Sequence, residues 1–449
     1  MVSAEQNKES FYEGGYFMLT AIGFLMLLVI VLLLLSGKVS LPPIFVVIPV
    51  LACLICGFAL GDINKFIGTG LSSVLNTVAL FTFAVLYFSI LNDVGMFDVI
   101  VSKLMRFLGN KVELVMWITC LVATISHLDG SGATTMLVTI PMMLPIYKKM
   151  KIRPQALLLL AAICSGPMNM TPWCSSVLRL TSATATDAME LWRYVLPLQV
   201  VCLVLSYLVV IPLAKIERKN GAGMTNEEFN ALKATLDQPV ETKVSMTIII
   251  FDIVLTLILL IAMLTGVVKS NLGFMMGLAI ALVVNFPNPK EQTKKVKEFG
   301  GMALNMIMII FSIGVLVGVL KDSGMMDGMV QTILAVIPES LGSHLTWIVS
   351  ALSVPLSMFL GSDTVYMAVA PIMANVVTAF GSSVMQLNAA FLIGACLSAN
   401  LCLVGPTPYL ALGLADVDMP SNLKYCFPWV FGISLIVSVL AGIMGVIPF

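Results

Sequence analysis

Long apolar runs separated by short polar connections fill most of the chain after residue 16. A helix crosses the hydrocarbon core of a bilayer with roughly 17–25 predominantly apolar residues. The runs therefore predict membrane-spanning helices at 17–36, 44–62, 76–96, 155–178, 192–214, 245–266, 270–286, 301–320, 388–413 and 426–447. This pattern is typical of an all-α, polytopic membrane protein.

Two more apolar segments, 113–146 and 345–380, are each too long for one span and are interrupted near the middle by Gly, Ser, Thr and Asp. A re-entrant helical hairpin, which enters and leaves the membrane on one side, fits each of them. Non-helical backbone at membrane depth is tolerated only where it is buried in protein or lines a wet cavity. The polar hairpin tips are therefore predicted to face a space that a solute reaches.

The chain also repeats itself. Residues 91–98 read LNDVGMFD and residues 320–327 read LKDSGMMD, and a second related pair lies at 192–194 and 423–425. Each half then holds five spans and one hairpin. Because five is odd, the second half enters the membrane from the opposite side. The pattern predicts an inverted repeat, which many secondary transporters share.

The repeat predicts four parts of the chain: an extracellular N-terminal segment at 1–16, a first transmembrane repeat at 17–215, a cytoplasmic linker at 216–243, and a second repeat at 244–449. With the linker in the cytoplasm, most Lys and Arg residues fall on the cytoplasmic side, as the positive-inside rule expects. Both termini of this multi-pass cell-membrane protein are then predicted to lie outside. The basic residues assigned to the outside are Lys8, Lys65, Arg179, Arg193, Lys269, Lys321 and Lys424.

Composition agrees with a protein whose solvent is the lipid bilayer. Hydrophobic residues make up 59% and charged residues 11% of the chain, against roughly 45–50% and 25% in soluble domains. The formal net charge is zero, so no nucleic-acid partner is indicated. A membrane-embedded hydrolase would need a nucleophile with its base or a His-rich metal cage, and the sequence has neither HExxH nor GxSxG. We expect a protein that is not an enzyme.

The first hairpin tip has the composition of an anion site. Glycine permits tight turns that expose backbone N–H groups, and a helix N-terminus adds partial positive charge. An anionic solute such as a carboxylate could be held there without Lys or Arg. The tip residues expected to bind substrate are Ser131, Gly132, Thr134 and Thr135.

Two ionisable residues in this tip need a separate explanation. A carboxylate at Asp129 repels an anion unless a metal cation or a proton accompanies it, and ionisable groups inside a membrane are usually functional. The alternative is that Asp129 caps a helix through the N–H groups of residues 131 and 132. His127 binds a metal, carries a proton or donates to a substrate carboxylate, or it is a satisfied polar group at a helix end.

The second hairpin tip and two proline breaks supply the remaining candidates. Ser362 and Thr364 are expected to bind substrate, and Asp363 to bind metal or a proton. Pro167 and Pro406 each remove a backbone donor and free carbonyl groups. Beside these breaks, Asn169 and Thr407 are expected to bind substrate, or else to form helix–helix hydrogen bonds. Arg179 either clamps a substrate carboxylate or extends to the membrane interface.

These motifs resemble a known family. The segments HLDGSGATT and IPMMLPIYKKM, then GPMNMTPW, GSDTVYMAVAPI and VGPTPYL, are similar to those of the citrate–divalent metal:proton symporter family of the ion transporter superfamily. The resemblance covers almost the whole chain. It implies a fold similar to the divalent-anion/sodium symporters, with movement of the hairpin-bearing part against the other spans. It also implies import of citrate as a divalent-metal complex with proton symport.

The resemblance has consequences for the site. Ser362-Asp363-Thr364 looks like the Ser-Asn-Thr tip that holds carboxylates in the related symporters, with Asp in place of Asn. Gly132-Ala133-Thr134 departs further from that pattern, which favours a cation that arrives with the substrate. Hard divalent ions prefer oxygen ligands, so Asp129 and Asp363 are expected on the metal side. No permanently bound cofactor is expected.

Two matters stay open at the level of sequence. The alternative function is a sodium-coupled carrier of di- or tricarboxylates or hydroxy acids, driven by a sodium gradient without divalent metal. The first two spans of each half lack polar interruptions, which suits a static scaffold or a dimer wall, and we expect a homodimer.

Overall fold

The computed structural model describes residues 2–36, 38–105, 107–229, 242–362, 365–403 and 406–448. Within these ranges the backbone forms helices, turns and bends, with no strand. The prediction of an all-α fold is confirmed. Asp363 and Thr364, two of the predicted site residues, lie outside the described residues, as do Gly405 and most of the linker between residues 230 and 241.

The helices of the first half are α1 (Val2–Ser36), α2 (Leu41–Ile55), α3 (Leu60–Asp93), α4 (Met96–Met105), α5 (Val112–Ser126), α6 (Gly132–Lys149), α7 (Pro154–Ser165), a 3₁₀ turn (Gly166–Met170), α8 (Ser175–Thr184), α9 (Ala188–Leu208) and α10 (Val210–Lys219). In the linker, residues 226–229 are helical. The prolines at the starts of helices such as α7 suit the first turn, where no N–H donor is needed.

The helices of the second half are α11 (Met246–Leu264), α12 (Ser270–Asn285), α13 (Pro289–Asp322), α14 (Met325–Val336), α15 (Glu339–Gly342), α16 (Leu345–Leu360), a π-helical turn (Val365–Val369), α17 (Ala370–Ala379), α18 (Val384–Ser398), a 3₁₀ turn (Ala399–Leu401), α19 (Pro406–Ala415) and α20 (Met419–Ile443).

Helix length and hydropathy support a multi-pass membrane protein. In the described part of the chain seven helices are long and apolar enough to cross a membrane, and a pair bent by 42° after Met170 adds an eighth. The two remaining predicted spans are shorter than expected, since α2 has 15 residues and α12 has 16. A perpendicular crossing needs about 17 residues or more.

The helix boundaries repeat between the halves. Helices α3 and α13 have 34 residues each. Their starts and their ends are both 229 positions apart (289 − 60 and 322 − 93). Helices α2 and α12, and likewise α4 and α14, start at the same separation. The duplication read from the sequence is therefore visible as a duplicated order of helices.

The equivalent helices α3 and α13 pack antiparallel along their length. At one end Asp93 of α3 pairs with Lys295 of α13. At the other end Gly70 of α3 contacts the backbone of α13 at Gly314 and Gly318. Antiparallel contact between equivalent helices is what an inverted repeat requires at its centre; the inversion of the complete halves stays a prediction.

The first predicted hairpin, 113–146, is formed by α5, the turn at residues 127–131, and α6, which pack against each other and against α7. The second, 345–380, is formed by α16, the π-helical turn and α17 on either side of the incompletely described tip. Helix α16 packs mainly on α18. Each hairpin thus lies against the first part of the broken span that follows it.

The two broken spans meet near the centre of the molecule. A Cβ atom on Gly166 would lie 2.9 Å from the carbonyl oxygen of Cys396. One helical turn further, Asn400 Nδ2 donates to Ser165 Oγ at 2.7 Å. This approach of the backbones leaves no room for a side chain at position 166. The break that follows α7 in the first half is therefore in direct contact with the break that follows α18 in the second.

One basic residue lies on a different face from the one predicted. Lys424 is assigned to the outside by the sequence, but the neighbouring Tyr425 donates to Glu217 Oε1 at 2.9 Å, and Glu217 lies two residues before the end of α10, at the linker. Gln155, at the start of α7, donates to Ser421 on the same helix as Lys424. Lys424 is therefore on the linker face, which adds to the excess of basic residues there.

Candidate functional site

A cavity of about 400 Å³ lies between the α3–α13 pair and the first hairpin tip. Ligand pockets for small molecules are typically about 300–1,000 Å³. From α3 and α13 the cavity is lined by Phe81, Val85, Ser89, Asn92, Asp93, Phe299 and Met306, and from the other side by residues 129–134, Trp173, Ser175 and Thr407. Both halves of the chain therefore contribute to one site.

The N-terminal ends of three helices line this cavity. Helix α6 begins at Gly132, α8 at Ser175 and α19 at Pro406, and Gly132, Ser175 and Thr407 are all in the cavity wall. The first N–H groups of a helix have no partner within it, and the peptide dipoles place partial positive charge at that end. Convergence of three such ends makes the cavity wall attractive to an anion.

Two backbone donors of α6 are available to a ligand. Thr134 N donates to Ser131 Oγ at 3.3 Å and Thr135 N donates to Ser131 O at 3.1 Å. Within the residues that the structure describes, the N–H groups of Gly132 and Ala133 have no acceptor. Since both residues line the cavity, these two N–H groups are placed to bind an anionic oxygen.

The tip is held in shape by Asp129 and Gly130. Asp129 Oδ1 accepts a hydrogen bond from Ser131 N at 2.8 Å, which closes a turn around Gly130. Gly130 has φ 76°, a left-handed conformation in which glycine is unstrained. The helix cap itself is Ser131. The capping alternative for Asp129 is thus partly realised, with a bond to residue 131, and its carboxylate still lines the cavity.

Close packing against the second half fixes the position of α6. A Cβ atom on Gly132 would lie 2.7 Å from Asn400 Oδ1 and 3.2 Å from Thr407 Cγ2. Only glycine therefore permits this approach between the first hairpin tip and the second broken span. The contact brings the predicted residues Gly132 and Thr407 into one site.

His127 lies behind the tip instead of in the cavity wall. It is 1% exposed. Its Nδ1 is 2.6 Å from Thr135 Oγ1, and its Nε2 is 3.0 Å from Asn169 Oδ1. The Thr135 hydroxyl in turn donates to Ser131 O at 2.9 Å. His127, Thr135 and Asn169 therefore form a buried network that braces the tip, and none of the three lines the cavity.

Two carboxylates of the described residues line the cavity, and their partners differ. Asp93 pairs with Lys243 and with Lys295, the latter at 2.9 Å. Asp129 has no ion-pair partner among the described residues. The uncompensated negative charge in the cavity is thus at Asp129, while the charge of Asp93 is neutralised by its lysines.

Lys295 is held charged by its surroundings at the cavity edge. Its side chain is 16% exposed. Burial acts to lower the pKa of the ammonium, but hydrogen bonds to Asp93 and Glu298 outweigh it and raise the pKa above its usual value. A fixed cation therefore lies at the end of the cavity nearest the linker.

Two further predicted site residues are not brought to this cavity. Arg179 lies one turn beyond Ser175 on α8, outside the cavity wall. Ser362 is half-buried at the second tip and does not line the cavity either. The neighbouring Asp363 and Thr364 lie outside the described residues, so their roles stay predictions.

Sequence reasoning also misassigned or missed residues that the structure places in the cavity. Asp93 follows a predicted span and is not among the candidate site residues, but the structure places it in the cavity wall. Trp173 covers the tip, with Nε1 donating to Leu128 O at 2.9 Å, and Ser175 follows at the start of α8. For α3, the sequence does contain a signal of the cavity face. Ser89 and Asn92 are three residues apart, a spacing that puts these polar residues on one face of the helix.

The described chain is that of a helical membrane protein. It has a duplicated order of helices, hairpins and broken spans around a cavity that attracts anions. These features place it in the class of membrane transporters. The comparison with known proteins narrows this class. A family model for citrate transporters (CitMHS) matches residues 69–394, and the chain belongs to that family.

Similar proteins agree with the family. The chain is 31% identical over 433 residues to the "Citrate transporter" of Bacillus subtilis (strain 168), covering 96% of this chain and 100% of that one. It is 29% identical over 432 residues to the "Mg(2+)/citrate complex secondary transporter" of the same strain, covering 96% and 99%. The crystal structure of the Alcanivorax borkumensis YdaH transporter shares the fold, with a TM-score of 0.57 at 14% identity over 86% of this chain and 87% of that one.

Proposed function

We propose that this protein is a secondary active transporter that imports citrate as a complex with a divalent metal ion, together with protons. The observation that carries the proposal is the cavity in which three helix N-termini surround the unpaired carboxylate of Asp129. An anion alone would be repelled by Asp129, and a metal cation alone would be repelled by the helix ends. A metal–citrate complex matches both features.

Each part of the complex has a counterpart in the cavity wall. Free carboxylate oxygens of citrate bind the Gly132 and Ala133 N–H groups and the hydroxyl groups of Ser175 and Thr407. The metal ion faces Asp129, since hard divalent cations prefer carboxylate, amide and water oxygens. As substrate, the metal also neutralises most of the charge of the tricarboxylate, which lowers the cost of bringing it to membrane depth.

The family and its similar members support the substrate. The chain belongs to the citrate transporter family, and one similar protein carries the name "Mg(2+)/citrate complex secondary transporter". The alignments with these two proteins extend over 96% of this chain and over 100% and 99% of theirs. Magnesium is therefore the first metal to test.

Alternating access is the mechanism that we infer for carrying the substrate from one side of the membrane to the other. The cavity lies between the antiparallel pair α3–α13 and the hairpin-bearing part, so a relative movement of these two parts opens or closes it. Asp93 with its lysines is at the linker side of the cavity, which we place in the cytoplasm with both termini outside. We further propose that the 17–215 and 244–449 repeats are inverted and that the protein is a homodimer.

Uptake by proteoliposomes tests this function. Full-length protein in vesicles should accumulate labelled citrate when Mg²⁺ is present and an inward proton gradient is applied. A chelator of divalent ions should abolish uptake, and replacing Mg²⁺ by other divalent ions should give a graded series. Uptake that ignores the chelator and follows a sodium gradient would contradict the proposal and identify a sodium-coupled carrier instead.

A further inference from the structure

A buried acid–amide pair lies outside the cavity, between α11 and α12. Asp252 is 0% exposed and Asn285, the last residue of α12, is 6% exposed. Asn285 Nδ2 donates to Asp252 Oδ1 at 3.1 Å and to Ala281 O at 2.9 Å. In the part of the chain that the structure describes, Asp252 Oδ2 and Asn285 Oδ1 are both buried without a hydrogen-bond partner.

The numbers of hydrogen-bond donors and acceptors in this pair indicate that Asp252 carries a proton. An ionised Asp252 has only acceptors, so it would leave two buried oxygens unsatisfied and a negative charge in apolar surroundings. A proton on Oδ2 adds one donor, and Asn285 Oδ1 is the acceptor that lacks one. The neutral acid and the amide then exchange two hydrogen bonds, and every polar atom of the pair is satisfied.

Among the described residues, Asp252 forms no ion pair with a Lys or Arg side chain. Helices α11 and α12 contribute no other titratable side chain. From α3, Tyr87 faces this region, and its hydroxyl is 2.7 Å from Thr256 Oγ1, one turn beyond Asp252. From α4, Asp98 and Lys103 are exposed. At the end of α3, Lys243 and Lys295 both form ion pairs with Asp93.

The internal repeat shows that the fold does not need this acid. At the same separation of 229 positions (289 − 60), the counterparts of Asp252 and Asn285 are Gly23 and Cys56. These lie on α1 and immediately after α2, which pack together as α11 and α12 do. One half therefore builds the same helix pair without a carboxyl group. Because a buried acid in a membrane is costly, its presence in the other half indicates a function.

We propose that Asp252 is a proton-binding site that loads and releases the coupling proton of the transport cycle. The proposal rests on the proton symport put forward under Proposed function. Asp252 lies six residues after the start of α11 at Met246, about 9 Å along the helix at 1.5 Å per residue. The proton loads from the outer side and binds Asp252 Oδ2 in the closed pair with Asn285, and it is released to water at the linker side when the pair opens.

Infrared difference spectroscopy tests the proton site without any transport. Wild-type protein in vesicles, titrated across neutral pH, should show the carbonyl band of one buried protonated carboxyl group that shifts in D₂O. Asp252→Asn should remove this band, whereas Asp327→Asn, an exposed aspartate on α14, should retain it. A band that survives Asp252→Asn overturns the proposal, and so does the absence of a band in the wild type.

Transport measurements test the coupling. Exchange of labelled for unlabelled Mg²⁺–citrate at equal pH should stay within about twofold of wild type in Asp252→Asn, while accumulation driven by a pH gradient should fall at least tenfold. Unchanged accumulation overturns the proposal. Loss of both activities in folded protein also overturns it, because exchange needs no release of the coupling proton and the asparagine amide resembles the protonated acid.

A swapped pair guards against misfolding of the single variant. Asp252→Asn combined with Asn285→Asp restores one acid and one amide between the same helices, so it should recover the infrared band and part of the gradient-driven accumulation. Failure of the swap to recover the band overturns the proposal. If the wild type exchanges no citrate, the proposed function fails, while the infrared result still decides whether Asp252 binds a proton.

Discussion

Gly70 of α3 lies directly on Gly314 of α13: a Cβ atom on Gly70 would be 2.0 Å from the Gly314 carbonyl oxygen. A Cβ on Gly318 would likewise be 2.2 Å from Phe66 O. Small residues allow helix backbones in membranes to approach this closely, and van der Waals packing then drives association. The α3–α13 pair, which forms one wall of the cavity, depends on these glycines.

Gly70→Ala should therefore destabilise the protein. The new methyl group meets backbone atoms, which cannot move aside as a flexible side chain can, so the loss of unfolding free energy should be about 1–3 kcal/mol or more. Gly68→Ala is the matched control, because a Cβ on Gly68 meets nothing within 4 Å. Thermal unfolding in detergent measures both, and equal melting temperatures would contradict the proposed close crossing.

Asp129→Asn should weaken the contact with the metal ion of the substrate while it leaves the contacts with the citrate carboxylates in place. The amide keeps the size of the side chain and one acceptor for Ser131 N but loses the charge that faces the metal. We expect the KM for Mg²⁺–citrate to rise by about tenfold or more, which corresponds to about 1.4 kcal/mol. Asp327→Asn on the exposed face of α14 should leave KM unchanged. Wild-type KM in Asp129→Asn would remove Asp129 from the site.

Gly132→Ala should disturb the contact between the two halves. Its methyl group would be 2.7 Å from Asn400 Oδ1, so the hairpin tip must shift away from Thr407. Citrate uptake should fall at least tenfold, since the shift moves the free N–H groups of the tip.

A double variant checks that the contact with Asn400 is the cause. Gly132→Ala combined with Asn400→Ala removes the obstructing oxygen and should recover more uptake than additive effects predict. Additivity of the two losses would show that Asn400 is not what excludes the methyl group. Gly413→Ala, where nothing lies within 4 Å, serves as the control for an added methyl group.

Lys295→Gln should weaken citrate binding from the linker side. Without Lys295, the charge of Asp93 is balanced by Lys243 alone, and the cavity becomes more negative. KM for Mg²⁺–citrate should rise severalfold, and high salt should change this rise only weakly, because Lys295 and Asp93 are 16% and 9% exposed and buried charges are screened little. Lys294→Gln, which changes an exposed neighbour, should have no such effect. A KM that is unchanged in Lys295→Gln would show that this cation does not act on the substrate.

The sequence by itself determined the class of protein, the order of helices and the main tip residues. Helix length, apolar composition and duplicated motifs are properties of consecutive residues, so they predict spans, hairpins and breaks without knowledge of packing. The same holds for the turn at Asp129 and Gly130, because a glycine with a neighbouring carboxylate forms it locally.

Only the tertiary structure decided which side chains share the cavity. It turned Asp93 inward beside Lys295, placed His127 behind the tip, and left Arg179 outside the wall. It also paired Asp252 with Asn285 across two helices. Which face of a helix turns inward depends on contacts between different elements, such as that of Asp93 with Lys295, 202 positions away (295 − 93). The spacing of polar residues within one helix shows that a polar face exists, but it does not show which other element that face contacts.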